Sequence, residues 1–200
     1  MNTSTDKLDL PKSSAWTLLI AAFIGLVSAA ALTLEKLTFW QNKAQGLETN
    51  LKCDINPIVG CGNVINTPQA SIISGLPNPV VGIAAWAIIL SVAVFVLSGV
   101  SLRPWHWIGA QIGVFVGLCA VFYLQYSSLY VIGALCPWCM LTWLVTIVAF
   151  WLVTARNLEH FFPTNRLATF VGNWFPAIIV THVLVIALLI FARFGTSVFA

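Results

Sequence analysis

Five cysteines stand in this 200-residue chain, and four of them fall into two pairs, Cys53 with Cys61 and Cys136 with Cys139. The second pair reads Cys-Pro-Trp-Cys at the head of an apolar run. Proline suits the first position of a helix, which puts the first thiol near the N-cap. Free amide N–H groups and the helix dipole favour a thiolate there, so the pair is suited to exchange as well as to bridging. Cys139 follows about one helical turn deeper. Cys53 and Cys61 are separated by seven residues that include Pro57 and Gly60, enough freedom to close a small disulfide. Alone, that bridge would only hold a loop. With a second dithiol facing the same compartment it becomes half of a relay, because thiol–disulfide exchange passes electrons only between sulfurs that touch. A zinc half-site is the competing use of Cys136 and Cys139, but neither a histidine nor a charged second layer stands near them. Cys119, alone within an apolar run, reads as a small buried packing group.

Electrons that reach Cys139 need an acceptor. A thiol sunk toward a bilayer is poorly placed for a water-soluble one, and the chain has no glycine fingerprint for a flavin or a nicotinamide. A lipid-soluble quinone fits that position.

The elements that hold these residues are membrane helices. The chain is 60% hydrophobic and 8% charged, where a soluble domain carries about a quarter of its residues charged. Ser13 to Leu34 holds 22 residues without a charge, and Leu167 to Ala192 holds 26. Each is long enough to cross once. Between Asp54 and Arg103 lie 48 uncharged residues and between Arg103 and Arg156 another 52, the latter about 78 Å of helix, against a hydrocarbon core of about 30 Å. The reading is an all-α integral membrane protein with five transmembrane helices. Segments apolar on both faces exclude a β-barrel, and a net charge of only +3 from scattered basic residues excludes nucleic-acid binding.

Along the chain, residues 1–14 form a cytoplasmic tail, and the first helix runs from about 14 to 39. Residues 40–79, with Pro57, Pro68, Pro77 and Pro79, form a structured extracytoplasmic loop, in which 66–74 is expected to make a short helix capped by Asn66 or Thr67. Further helices are expected over 80–102, 105–126, 137–154 and 174–194, with Trp105 and Trp107 at one interface, Tyr123, Tyr126 and Tyr130 at the other, and a polar loop over 156–173. Residues 156–200 thus form a cytoplasmic loop and the fifth helix. With the N-terminus in the cytoplasm, basic residues divide five inside to four outside, a small bias; disulfide chemistry, which belongs outside the reducing cytosol, sets the orientation. His182 marks either a proton path or a contact to a neighbouring helix, and Glu35 and Lys36 either face the mouth of the site or snorkel.

Cys53-Asp54 followed by Cys61, Pro77-Asn78-Pro79 before the second helix, and Cys136-x-x-Cys139 at the fourth together resemble the vitamin K epoxide reductase family in spacing and order. The likeness covers residues 15–155 and points to the family's bacterial disulfide-forming branch, without a fused thioredoxin domain. It implies a four-helix bundle around a quinone of menaquinone, ubiquinone or phylloquinone type, a loop carrying a short cap helix over it, and a separate extracytoplasmic thioredoxin-fold partner at a bacterial cytoplasmic membrane. It also implies that Asn78 contacts a quinone carbonyl and that Thr67 stabilises the loop. Where animal members place a quinone-binding tyrosine this chain has Trp143, which offers only an N–H donor. The alternatives are reduction of a vitamin K quinone or epoxide as the main role, or, in a different class, a metal-binding or transport protein with cysteine ligands.

Overall fold

The structure, a computed structural model, describes residues 10–49, 51–73 and 75–199. Most of the polar tail, Lys7 included, and Ser74 at the end of the expected loop helix lie outside them. The described helices are α1 (Lys12–Ala44), the single turn α2 (Gly62–Ile65), α3 (Asn78–Leu97), α4 (Pro104–Tyr126), α5 (Pro137–Phe161) and α6 (Arg166–Phe194). All except α2 are long and apolar enough to cross a membrane, so the protein is an all-α, multi-pass membrane protein.

Local sequence sets the helix ends. Pro79, Pro104 and Pro137 lie in the first turns of α3, α4 and α5, where a missing N–H leaves no helical hydrogen bond unmade. At the head of α6 the Asn165 side chain accepts the Leu167 N–H at 2.9 Å. Past Tyr126, α4 continues as a π turn over Ser127–Ile132 and stops at Gly133, whose φ of 72° suits a residue without a Cβ.

The packing runs from α3 to α1 to α5, with α4 and α6 both against α5. The buried stripe of α1 is built from small residues, Ala15, Ala21, Ala22, Gly25, Ser28 and Ala29, which lets α3 come close enough for Trp86 to lie over Gly25. Polar contacts join α4 to α5 at the end away from the cysteines. Gln111 Nε2 donates to Thr154 Oγ1 at 3.0 Å, and Asn157 Nδ2 to the Trp107 carbonyl at 3.1 Å. Arg156 lies 4.2 Å over the Trp107 ring. Of α6, only Ala168 and Val171 are buried, which leaves most of this helix to lipid.

Several expectations change. α3 stops at Leu97, short of the expected 102 and just ahead of Gly99 at φ 77°, whereas α1, α5 and α6 run past their charge-free windows, because a window marks only the hydrocarbon core and a helix extends into the headgroups. The expected loop over 156–173 is therefore the end of α5 and the start of α6, with only 162–165 between them. Trp107 is fully buried under Arg156, whereas Trp105 is exposed. Cys119 is exposed on the outer face of α4 and belongs to none of the buried clusters. His182 stacks on Phe122 of α4, ring centroids 5.5 Å apart.

Candidate functional site

The loop between α1 and α3 is built around Asp54. Its carboxylate accepts the Leu51 N–H at 3.1 Å and the Gly62 N–H at 2.9 Å, which closes the chain around Cys53 and Cys61. Gly60 is required by closeness: a Cβ there would lie 2.6 Å from Asp54 Oδ1. The loop is then strapped to the segment ahead of α5. Gly60 N–H donates to the Leu135 carbonyl and Leu135 N–H to the Ile58 carbonyl, both at 2.8 Å, in a short parallel bridge. Leu135 is fully buried and immediately precedes Cys136.

That strap brings the sulfurs together. Cys53 and Cys61 form a disulfide, while Cys136 and Cys139 are thiols. Cys136 Sγ donates to Cys61 Sγ at 3.4 Å, a contact between residues 75 positions apart in sequence. Both of these sulfurs are buried, at 0% and 1% residue exposure, whereas their partners Cys53 and Cys139 are each partly exposed. The inner two sulfurs therefore face each other, and the outer two belong to the less buried residues. Cys136 is the extended N-cap residue of α5. Its thiol is held below the ordinary cysteine value chiefly by hydrogen bonding with Cys139, helped by the backbone of Cys139 and Trp138, while burial and the Asp54 carboxylate oppose the shift. A larger thiolate fraction at neutral pH follows.

Cys139 sits between two apolar clusters. On the loop side are Leu32, Phe39, Val64 and Ile65; on the other are Val121, Leu129, Leu135 and Trp143. Trp143, one turn below Cys139, is 3% exposed and its Nε1–H has no hydrogen-bond partner among the described residues. Asn78 begins α3, where its Oδ1 accepts the Ile72 N–H and its Nδ2 donates to the Gln69 carbonyl, both at 2.7 Å. It thus clamps the end of the loop with one amide hydrogen still unused. Thr67 Oγ1 donates to the Val64 carbonyl at 2.7 Å and joins α2 to a 3₁₀ turn over Pro68–Ala70. Of the single helix expected over 66–74, the described residues form only the 3₁₀ turn over Pro68–Ala70, and the helical turn α2 lies ahead of that range. Lys36 is buried and does not snorkel: its Nζ donates to Ser71 Oγ at 3.0 Å and ties the loop to α1.

A model of the vitamin K epoxide reductase family matches residues 16–154. The chain belongs to that family. No individual curated protein matches it. With its disulfide and its membrane helices, this member of the family is a redox-active membrane oxidoreductase. The match takes in all four paired cysteines and leaves α6 outside.

Two positioning groups in this vitamin K epoxide reductase family member were missed in sequence. Asp54 was noticed only as the neighbour of Cys53, and its signal is the pair of glycines at 60 and 62 that make room for its carboxylate. Leu135 gives no signal, since its part is played by backbone groups. Asp54→Ala removes the acceptor of two loop N–H groups, an expected loss of about 1–2 kcal/mol of local stability at this exposed site. The loop should then open about 5- to 30-fold more often, and reduction of Cys53–Cys61 by a small-molecule thiol should speed up to match. An unchanged reduction rate would mean that the Leu135 strap holds the loop alone.

Proposed function

We propose that the protein oxidises an extracytoplasmic thioredoxin-fold partner and passes the electrons through its two cysteine pairs to a membrane quinone. The observation that carries this reading is the 3.4 Å contact between Cys61 and Cys136, which joins an oxidised pair to a reduced one. A partner thiolate attacks the accessible Cys53 and forms a mixed disulfide, and Cys61 leaves as a thiolate. Cys61 then attacks Cys136 of an oxidised Cys136–Cys139 pair, and Cys139 leaves with the electron pair. The second thiol of the partner resolves the mixed disulfide at the partner's own sulfur and frees Cys53. Cys53 attacks Cys61, restores the loop disulfide and releases Cys136. The partner has then lost two electrons and two protons, and Cys136 and Cys139 hold them as thiols.

A quinone accepts two electrons and two protons, the number released when two thiols close to a disulfide. The surroundings of Cys139 fit such a molecule. Its neighbours are apolar, and Trp143 Nε1–H is a buried donor with no acceptor of its own among the described residues, suited to a carbonyl oxygen. Trp143 and Asn78 would hold the ring, with Thr67 and Lys36 supporting the loop above. The relay belongs outside the cytosol, where the loop disulfide persists, and in a bacterium this is the outer side of the cytoplasmic membrane.

The test is to mix purified protein with a reduced thioredoxin-fold protein and a soluble quinone analogue, and to follow quinone reduction optically. Reduction that needs both the enzyme and the partner dithiol is expected. Oxidation of the partner with no matching loss of quinone would reject the quinone as acceptor.

A further inference from the structure

Gln125 is a buried amide in the apolar run of α4, 7% exposed, and its Nε2 has no hydrogen-bond partner among the described residues. An unpaired buried amide N–H₂ costs about 1–3 kcal/mol, so its retention in a bundle surrounded by lipid calls for an acceptor. The register of α4 against α5 shows where that acceptor would sit. These antiparallel helices set Trp107 against Asn157, Gln111 against Thr154, and Gly117 against Thr146. Carried forward at the same pace, that register brings Gln125 level with Cys139. Gln125 also continues the buried stripe Trp107, Ala110, Val114, Leu118, Val121, and it is one turn from both Val121 and Leu129, which pack in the cluster of Trp143 and Cys139. Two buried, unpartnered N–H donors, one from α4 and one from α5, therefore occupy the level of Cys139 or the turn below it. Structural amides elsewhere in the pair are satisfied: both Gln111 and Asn157 are hydrogen-bonded.

We infer that Gln125 is a quinone-binding residue, its Nε2–H donating to a carbonyl oxygen of the ring from the α4 side while Trp143 donates from α5. This rests on the quinone reading above and adds to it a polar contact contributed by the third membrane helix. A donor on each side of the ring favours quinones whose two carbonyls are both free of bulky flanking groups, since both oxygens must reach an N–H.

Gln125→Met keeps the length of the side chain and removes the amide. Binding of a water-soluble naphthoquinone is followed by quenching of tryptophan fluorescence, and unfolding of the ligand-free protein by its Tm in detergent. The expected result is a Kd weakened roughly five- to tenfold, the worth of one hydrogen bond, with a Tm equal to or above that of wild type because an unsatisfied buried group is gone. Gln125→Leu provides a second apolar variant should the thioether pack badly. Unchanged Kd in a folded variant overturns the assignment of Gln125 alone. Failure of both variants to fold assigns the amide to the fold and also overturns it. Wild type that binds no quinone removes the underlying reading, and the inference with it.

Discussion

Cys139→Ala is expected to bring quinone reduction down to background, a loss on the order of a thousandfold or more, because a single remaining thiol at the head of α5 cannot close a disulfide and release two electrons. Cys136→Ala should do the same for a different reason. It removes the one sulfur that lies against Cys61, so electrons from the loop have no route onward. Cys119→Ala supplies the contrast. That thiol is exposed on the outer face of α4, apart from the clusters that hold the other four, and its loss should leave turnover within a factor of about two. Steady-state quinone reduction with each variant checks all three. A Cys139→Ala protein that keeps more than about a tenth of wild-type turnover would require a different electron donor to the quinone.

The second large effect lies far from the sulfurs. A methyl group at Gly25 would lie 2.8 Å from Trp86 Cζ2 and closer still to Cε2 and Cδ2, inside the indole ring. Trp86 is itself buried, so it has little room to swing away, and α1 would have to separate from α3. Gly25→Ala is expected to destabilise the bundle by about 3 kcal/mol, and Gly25→Val by more. Shrinking the ring should reverse this. In a double-mutant cycle Trp86→Leu is expected to recover most of the loss in the Gly25→Ala background while being destabilising by itself. Thermal unfolding in detergent measures each corner. Additive losses would show that the two residues do not share the contact.

The spans were legible in the sequence because charge is costly in hydrocarbon, and the charge-free windows marked every helix that crosses. They misplaced the ends for the same reason. Arg156 and Asn157 read as loop residues, yet α5 carries both inside the bundle, where Arg156 covers Trp107 and Asn157 bonds to its carbonyl. The two cysteine pairs were legible from type and spacing. What joins them was not, since the strap is made by backbone groups of Ile58, Gly60 and Leu135, and backbone leaves no mark on composition. Lys36 read as either facing the mouth of the site or snorkelling, since its stem is apolar and its end charged. Only the folded loop brings Ser71 and the Ala70 carbonyl over α1 to receive its ammonium group. Cys119 was misassigned because a helix that is apolar all round gives no sign of which face meets lipid. Gln125 was overlooked although an amide in a membrane span is itself a signal.

The central claim is that electrons cross between Cys61 and Cys136. With Cys53 replaced by serine, Cys61 has no loop partner, and the nearest sulfur is Cys136 at 3.4 Å. After oxidation by a quinone analogue, non-reducing digestion and peptide mass spectrometry of Cys53→Ser should find Cys61 joined to Cys136, with Cys139 free. Finding instead a Cys136–Cys139 disulfide beside a free Cys61, under conditions where wild type turns over, would contradict the relay.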